Sequence, residues 1–311
     1  MFRRVLALLI LSPAVLLTSC RKDSPAAPAA PPRLRAAVSV LPQADFVSRI
    51  GGGNVAVEVL VGPGQDPHTF EPTPQQMAAL SEAAVYFRIG MPFEDTLLEK
   101  VASLNKGLKI ANTAEGIELL PSLEEQDQES HRPEGGTHSG DAHHQGDKDP
   151  HIWLDPKLVK TQAETICRAL SELDAANART YRENLLAFQR ELDQLDARLT
   201  KTLAPLKGRA FFVYHPAFGY FAAAYGLKQV AVETGGKEPP PRQVAALVER
   251  ARREGVKVIF VQPQFSDKTA RAIAREIGGA VVAADDLPRD YLAGMDKLAG
   301  AIEEALGKSA P

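Results

Sequence analysis

The sequence predicts an α/β protein built as two (βα) lobes of parallel or mixed sheet, joined by one long helix. Three observations predict it. Short apolar runs alternate with helix-period segments in both halves of the chain, one uninterrupted helical pattern separates the halves, and the length suits about two domains.

In the first half, Ala36–Leu41, Val55–Val61 and Val85–Arg88 are dense in β-branched and aromatic residues and read as strands, with Lys109–Ala111 a further short one. Gln43–Ile50, Pro74–Glu82 and Phe93–Leu104 read as helices between and after them. In the second half the strand-like runs are Ala210–Tyr214, Gln229–Val232, Val256–Val261 and Ala280–Ala283. They alternate with helical patterns at Ala217–Tyr225, Pro241–Glu254, Lys268–Ile277 and Tyr291–Leu306. Between the halves, Ala175–Leu203 contains neither Gly nor Pro, and Leu185, Phe188, Leu192, Leu195 and Leu199 share one apolar face. Asp174 is placed to cap that helix, and Pro205 with Gly208 to end it. At 1.5 Å per residue it would run roughly 40 Å, a rigid strut between lobes. Ligands at strand ends in both lobes would then meet in the cleft between them.

The first residues read as an address. Arg3 and Arg4 precede the apolar run Val5–Leu17, which is too short to span a bilayer comfortably, and Leu17-Thr18-Ser19-Cys20 resembles a bacterial lipobox. Residues 1–19 are therefore expected to be a lipoprotein signal peptide and Cys20 the lipidated residue. Residues 20–33, rich in Pro and Ala, would be a semi-rigid tether that holds the body at a membrane face outside the cytoplasm. The body is expected to divide into a first lobe at 34–173, the linking helix at 174–204 and a second lobe at 205–311.

A net charge of −3 gives no general attraction to nucleic acid. Apart from Cys20 the only cysteine is Cys167, so no internal disulfide is available. It falls on the apolar face of a helical pattern and reads as core packing. Residues 124–148 hold Glu, Asp, Gln, Gly and His with no large aliphatic side chain, and cannot bury enough surface to fold.

Seven histidines are distributed unevenly. His131, His138, His143 and His144 lie in that polar stretch. His68, His151 and His215 lie in separate apolar-flanked segments, each beside a proline and each at a strand-to-helix junction. Imidazole suits zinc better than magnesium or calcium, so three such residues point to one metal site assembled from distant parts of the chain. A single histidine of this kind is as often a hydrogen-bonded core residue, and Trp153 beside His151 reads first as core.

Several long motifs carry a resemblance over nearly all of the mature chain. They are Gly-Gln-Asp-Pro-His-Thr-Phe-Glu-Pro-Thr-Pro (64–74), Asp-Pro-His-Ile-Trp-Leu-Asp-Pro (149–156), Tyr-His-Pro-Ala-Phe-Gly-Tyr (214–220), Gly-Lys-Glu-Pro-Pro-Pro-Arg-Gln (236–243) and Phe-Val-Gln-Pro-Gln-Phe-Ser (260–266). The chain resembles the metal-binding proteins of ABC importers for zinc and manganese, the cluster A-I group, and within it the zinc branch. The resemblance implies a pair of lobes joined by a backbone helix, with the metal held in the cleft by His68 and His151 from the first lobe and His215 from the second. It also implies a fourth ligand from an Asp-Pro-Leu-like segment near the C-terminus. Here that segment reads Asp285-Asp286-Leu287, without the proline, and Asp285 is preferred over Asp286 or water. Asp66, Asp149, Glu71 and Asp155 are candidates to orient the histidines. The four histidines of the polar stretch would form an auxiliary zinc collector.

The implied function is capture of Zn²⁺, as transported ligand, by a monomeric, lipid-anchored extracytoplasmic protein that hands it to an ABC permease and its ATPase subunit. Manganese or iron is the rival cargo, disfavoured by His215 and the His-rich stretch. An adhesin would be at most a secondary role. A secreted zinc hydrolase is the rival class, but there is no His-Glu-x-x-His, no Gly-x-Ser-x-Gly and no phosphate-cradling glycine loop.

Overall fold

The computed structural model describes residues 33–122, 148–233 and 237–307. The expected signal peptide, Cys20, nearly all of the tether and the stretch with His131, His138, His143 and His144 lie outside the described residues. The elements run β1 (Leu34–Val38), α1 (Leu41–Gly51), β2 (Val55–Val59), α2 (Pro74–Ser81), β3 (Val85–Arg88), α3 (Phe93–Leu104) and β4 (Lys109–Asn112) in the first half. Then come α4 (Pro156–Leu173) and the long α5 (Ala178–Leu203). The second half has β5 (Ala210–Val213), α6 (Gly219–Tyr225), β6 (Lys228–Ala231), α7 (Pro241–Arg253), β7 (Val258–Val261), α8 (Lys268–Glu276), β8 (Ala280–Ala283) and α9 (Tyr291–Gly307).

The strands form two four-stranded sheets, β2-β1-β3-β4 and β6-β5-β7-β8, and every pairing is parallel. The two lobes thus repeat one strand order. In each, the first strand is central and the chain leaves it first to one side and then to the other. That arrangement opens a crevice at the carboxyl ends of the strands, where α/β sheets bind ligands.

Most predicted elements are present, and the shifts at their ends have local causes. Leu41 opens α1 instead of closing β1. Pro42 in the first turn sets a helical φ, and the Gln43 side-chain oxygen accepts from Ser39 N at 3.1 Å and Val40 N at 3.4 Å. β7 starts at Val258 because Val256 N closes the turn after α7 on Ala251 O. Asp174 does not cap α5. A 3₁₀ turn at Ala175–Asn177 intervenes, and the Asp174 carboxylate accepts instead from Tyr181 Oη at 2.6 Å and Asn177 Nδ2 at 2.8 Å.

α5 is 26 residues, about 39 Å long. It is packed along its length. Tyr181, Phe188, Leu192, Leu195, Leu199 and Leu203 are buried on one side, against α1 and α4 from the first half and α9 from the second. One apolar cluster therefore runs unbroken from the first sheet through Phe46, Trp153, Phe188, Leu192 and Tyr291 to Phe211 and Phe218 at the second. Two smaller clusters fill the outer side of each sheet, under α2 and α3 in one lobe and α7 and α8 in the other. Cys167 is buried on α4, 4.0 Å from Ser171 Oγ, and burial pushes its thiol up, as expected for packing and not for a reactive thiolate. Among the described residues no helix is long and apolar enough to cross a membrane.

A shared core implies shared unfolding. Leu192→Ala, at a fully buried position between the lobes, should lower the unfolding free energy by about 3 kcal/mol. Calorimetry of the variant should show a single transition displaced as a whole. Two transitions, of which only one moves, would contradict the shared core.

Candidate metal centre

His68, His151 and His215 come together at the strand ends between the two sheets, each offering a ring nitrogen within 4.8 Å of the other two. The ring centroids form a nearly even triangle: 5.5 Å for His68–His151, 4.7 Å for His68–His215 and 5.3 Å for His151–His215. Among the described residues no other group of three or more His, Cys, Asp or Glu offers such a cluster.

Each ring is placed by a different local device. His68 sits on the loop between β2 and α2. Asp66 Oδ1 accepts from His68 N at 2.9 Å and Oδ2 from Thr69 Oγ1 at 3.1 Å, a turn typical of Asp. Two residues on, Phe70 is buried edge-on to Phe93, with centroids 5.0 Å apart. Gln76 Nε2, from α2, ties the loop to Leu60 O at 2.6 Å.

His151 precedes a short 3₁₀ turn whose residues Ile152, Trp153 and Leu154 are all buried. Asp149 folds back so that Oδ1 accepts from His151 N at 2.9 Å and lies 2.6 Å from His151 Nδ1. Trp153 packs its ring 5.2 Å from His151 and donates Nε1–H to Asp286 O at 2.6 Å. It is therefore both core and wall of the site.

His215 follows β5, the central strand of the second sheet. The Gln262 side chain clamps its backbone, accepting from His215 N at 3.2 Å and donating to His215 O at 2.8 Å. Glu233 Oε1 lies 2.5 Å from His215 Nδ1, and the Phe265 ring stacks on the imidazole at 4.9 Å.

These contacts decide where the ring protons sit. With Nδ1 of His151 and His215 donating to carboxylates, each Nε2 is left with a lone pair, and the two Nε2 atoms face each other at 3.4 Å. His68 Nε2 is buried without a hydrogen-bond partner. Burial, reinforced by the other two rings, lowers the pKa of His68 to about 3. Burial and the neighbouring His151 likewise hold His215 well below the usual histidine range. For His151 burial acts in the same direction, but Asp149 outweighs it and raises the pKa above the ordinary value. His68 and His215 are thus held neutral, and His151 is the ring that takes up a proton most readily.

The carboxylates expected from sequence separate into distinct roles. Asp149 orients His151. Asp66 shapes the loop backbone. Asp155 caps α4 by accepting from Lys157 N at 2.8 Å, and Glu71 is exposed. Asp285, the preferred fourth ligand, is outside the cluster: it is exposed, accepts from Leu287 N at 2.9 Å, and lines a groove with Leu41, Pro63 and Arg289. Asp286 is the buried one. Gln264 Nε2 donates to its carboxylate at 3.2 Å, and burial pushes its pKa up to about 7 against the pull of His151. Glu233 and Gln262 were not singled out from sequence. Their signal was position: both stand just past the carboxyl end of a strand of the second sheet, where the site lies.

The comparisons with known proteins agree with this picture. A family model described as the periplasmic component A of the zinc-uptake complex, ZnuA, matches residues 37–305. The high-affinity zinc uptake system protein ZnuA of Bacillus subtilis (strain 168) is 28% identical over 249 residues, covering 79% of this chain and 76% of that protein. The zinc-binding lipoprotein AdcA of Streptococcus pneumoniae (strain ATCC BAA-255 / R6) is also 28% identical over 249 residues, but this chain spans only 48% of its length. The chain thus covers about half of the AdcA proteins that it matches. A crystal structure of ZnuA superposes with a TM-score of 0.79 at 40% identity, covering 88% of this chain and 99% of that one. With a family model matched from the first strand to the last helix and the same two-lobed fold in a related crystal structure, this chain belongs to the ZnuA family.

Proposed function

We propose that this protein captures Zn²⁺ between its lobes through His68, His151 and His215 and delivers it to an ABC permease driven by a separate ATPase subunit. Zinc is the cargo, and the protein catalyses nothing itself. The observation that carries this reading is the 3.4 Å approach of two Nε2 atoms whose Nδ1 atoms are both turned to carboxylates. Two nitrogens about 2.0–2.1 Å from one zinc ion at the tetrahedral angle lie roughly 3.3–3.4 Å apart. A nitrogen-rich set favours zinc over manganese, which prefers oxygen donors.

The fourth position is assigned to Asp286 or water in place of Asp285. Asp286 is buried and close enough to feel the charge of His151, whereas Asp285 is exposed and engaged with Leu287 N. Residues 34–173 and 205–311 would supply the two walls of the cleft, with 174–204 joining them. Lipid attachment at Cys20 would keep the protein extracytoplasmic and close to the permease, as a monomer. The name of the AdcA relative is consistent with that attachment. His131, His138, His143 and His144 would gather zinc at lower affinity.

A chelator-competition titration of the full chain with Zn²⁺ and Mn²⁺ side by side tests the assignment. One tight zinc site should survive deletion of 124–148 and weaken by orders of magnitude in His215→Ala. Tighter Mn²⁺ binding, or zinc binding lost with the deletion alone, would refute it.

The orienting carboxylates should matter almost as much as the ligands. Glu233→Gln keeps the shape but removes the negative charge that faces His215 Nδ1, and should weaken zinc roughly 10–100-fold. An unchanged affinity would show that Glu233 is structural only.

Acid should release the metal, and among the three rings one proton, on His151, is the main competitor. His68 at about 3 and the lowered His215 stay unprotonated at mildly acidic pH, whereas His151, raised by Asp149, takes up a proton as the pH falls through its pKa. Below that pKa, zinc affinity should fall about tenfold per pH unit with water as the fourth ligand, and about a hundredfold where Asp286, its pKa pushed up to about 7, must also lose a proton to bind. A fall of about a thousandfold per unit in the same titration would mean that all three rings compete.

A further inference from the structure

The motif 214–220 ends in Gly219-Tyr220, which the metal site described above does not use. Both residues reach across to the other lobe. Tyr220 is buried, and its hydroxyl accepts from Leu120 N at 2.9 Å while donating to Asp149 O at 2.8 Å. Leu120 and Asp149 are themselves joined, Asp149 N donating to Leu120 O at 2.9 Å, next to an antiparallel bridge between Pro121 and Lys148. One hydroxyl of the second lobe thus satisfies two backbone groups of the first at the point where its chain comes back together.

Gly219 makes the second contact. A Cβ at this position would lie 2.9 Å from Asp149 Oδ2 and 3.7 Å from Leu120 Cδ1. The first distance is too short for a carbon, so the missing side chain lets the Asp149 carboxylate rest against the start of α6. The other oxygen of that carboxylate, Oδ1, holds His151 through both its backbone N and its Nδ1. Asp149 therefore has its carbonyl fixed by Tyr220, its amide by Leu120, one carboxylate oxygen by His151 and the other packed on Gly219.

We propose that Tyr220, with Gly219, is a positioning residue for metal capture: it seats Asp149 across the lobe boundary so that His151 presents Nε2 to the ion alongside His215. The inference rests on the metal-site reading above. It makes the geometry of a first-lobe ligand depend on a hydroxyl of the second lobe. A Cβ at Gly219 would push on Asp149 Oδ2, and because both oxygens belong to one planar carboxylate that shift would also move Oδ1 against His151.

The test compares Tyr220→Phe, Gly219→Ala, Tyr225→Phe and His215→Ala in the full chain. Tyr225 is the control for loss of a buried tyrosine hydroxyl, because its hydroxyl donates to Asp196 on α5 and not to the site. Zinc affinity by chelator competition, the d–d absorption of bound Co²⁺ as a report of ligand geometry, and the melting temperature are read for each. Tyr220→Phe should weaken zinc roughly 10–100-fold and alter the Co²⁺ spectrum. Gly219→Ala, which keeps the hydroxyl, should do the same, while Tyr225→Phe lowers the melting temperature but leaves affinity and spectrum as in the parent.

If Tyr220→Phe fails to fold, Gly219→Ala alone decides, and parental affinity and spectrum in it overturn the proposal. Parental affinity and spectrum in a folded Tyr220→Phe, or equal losses in Tyr220→Phe and Tyr225→Phe, also overturn it. A loss in His215→Ala but not in Tyr220→Phe removes the positioning role and leaves the metal site standing. Parental affinity in His215→Ala overturns both.

Discussion

Three imidazole nitrogens brought into one small, poorly solvated volume oppose one another. Each has given up water, and protonating any of them places a charge beside its neighbours. The structure is arranged around holding that cluster. Two of the three rings are buried against a carboxylate on the far nitrogen, Asp149 for His151 and Glu233 for His215, so the near nitrogen is left as an acceptor. Those carboxylates are buried too, a further cost that charge-assisted contacts to the rings help to offset. The walls around them, Trp153 on one side and Phe265 on the other, keep the surroundings apolar.

Convergence of groups from two lobes also requires that the lobes keep their distance and orientation. A flexible linker would let the strand-end loops drift apart and lose the cluster. Here the connecting helix is part of the core, its apolar face packed on helices from both halves, and α9 comes back so that Tyr291 meets Phe46 edge-on at 4.9 Å. Polar ties follow the same seam: Tyr291 N donates to Asp45, and Arg49 pairs with Glu191 on the long helix. On the proposed function, removal of the ion would leave such a frame largely in place, and release would call for a local disturbance of the ligands more than a wide opening of the lobes.

Much of this was legible in the sequence because it is written in local patterns. Alternating apolar runs gave the strands and helices, a long stretch free of Gly and Pro gave the central helix, and three isolated histidines beside prolines gave the cluster. What escaped was decided by contacts between distant residues. Glu233 is an unremarkable acid until β6 lines up beside β5 and brings it to His215. Asp285 and Asp286 are adjacent and chemically identical; which one is buried depends on how the loop after β8 meets Gln264 and Trp153. Asp174 had the right residue type for a cap, yet Tyr181 one helical turn into α5 competes for its carboxylate.

The three histidines are not mounted alike. His151 and His215 are fixed within the walls, each clamped at its backbone as well as its ring, whereas His68 is half-buried on the long loop between β2 and α2 and lacks a carboxylate on its ring. Such a mounting separates two properties that a symmetric cage would bind together. In the proposed site the rigid pair would govern how strongly an ion is held, and the loop how quickly it could enter or leave. Changes at Pro63, Gly64 or Gln65, none of which supplies a proposed ligand atom, would alter the residence time of the ion more than its equilibrium affinity.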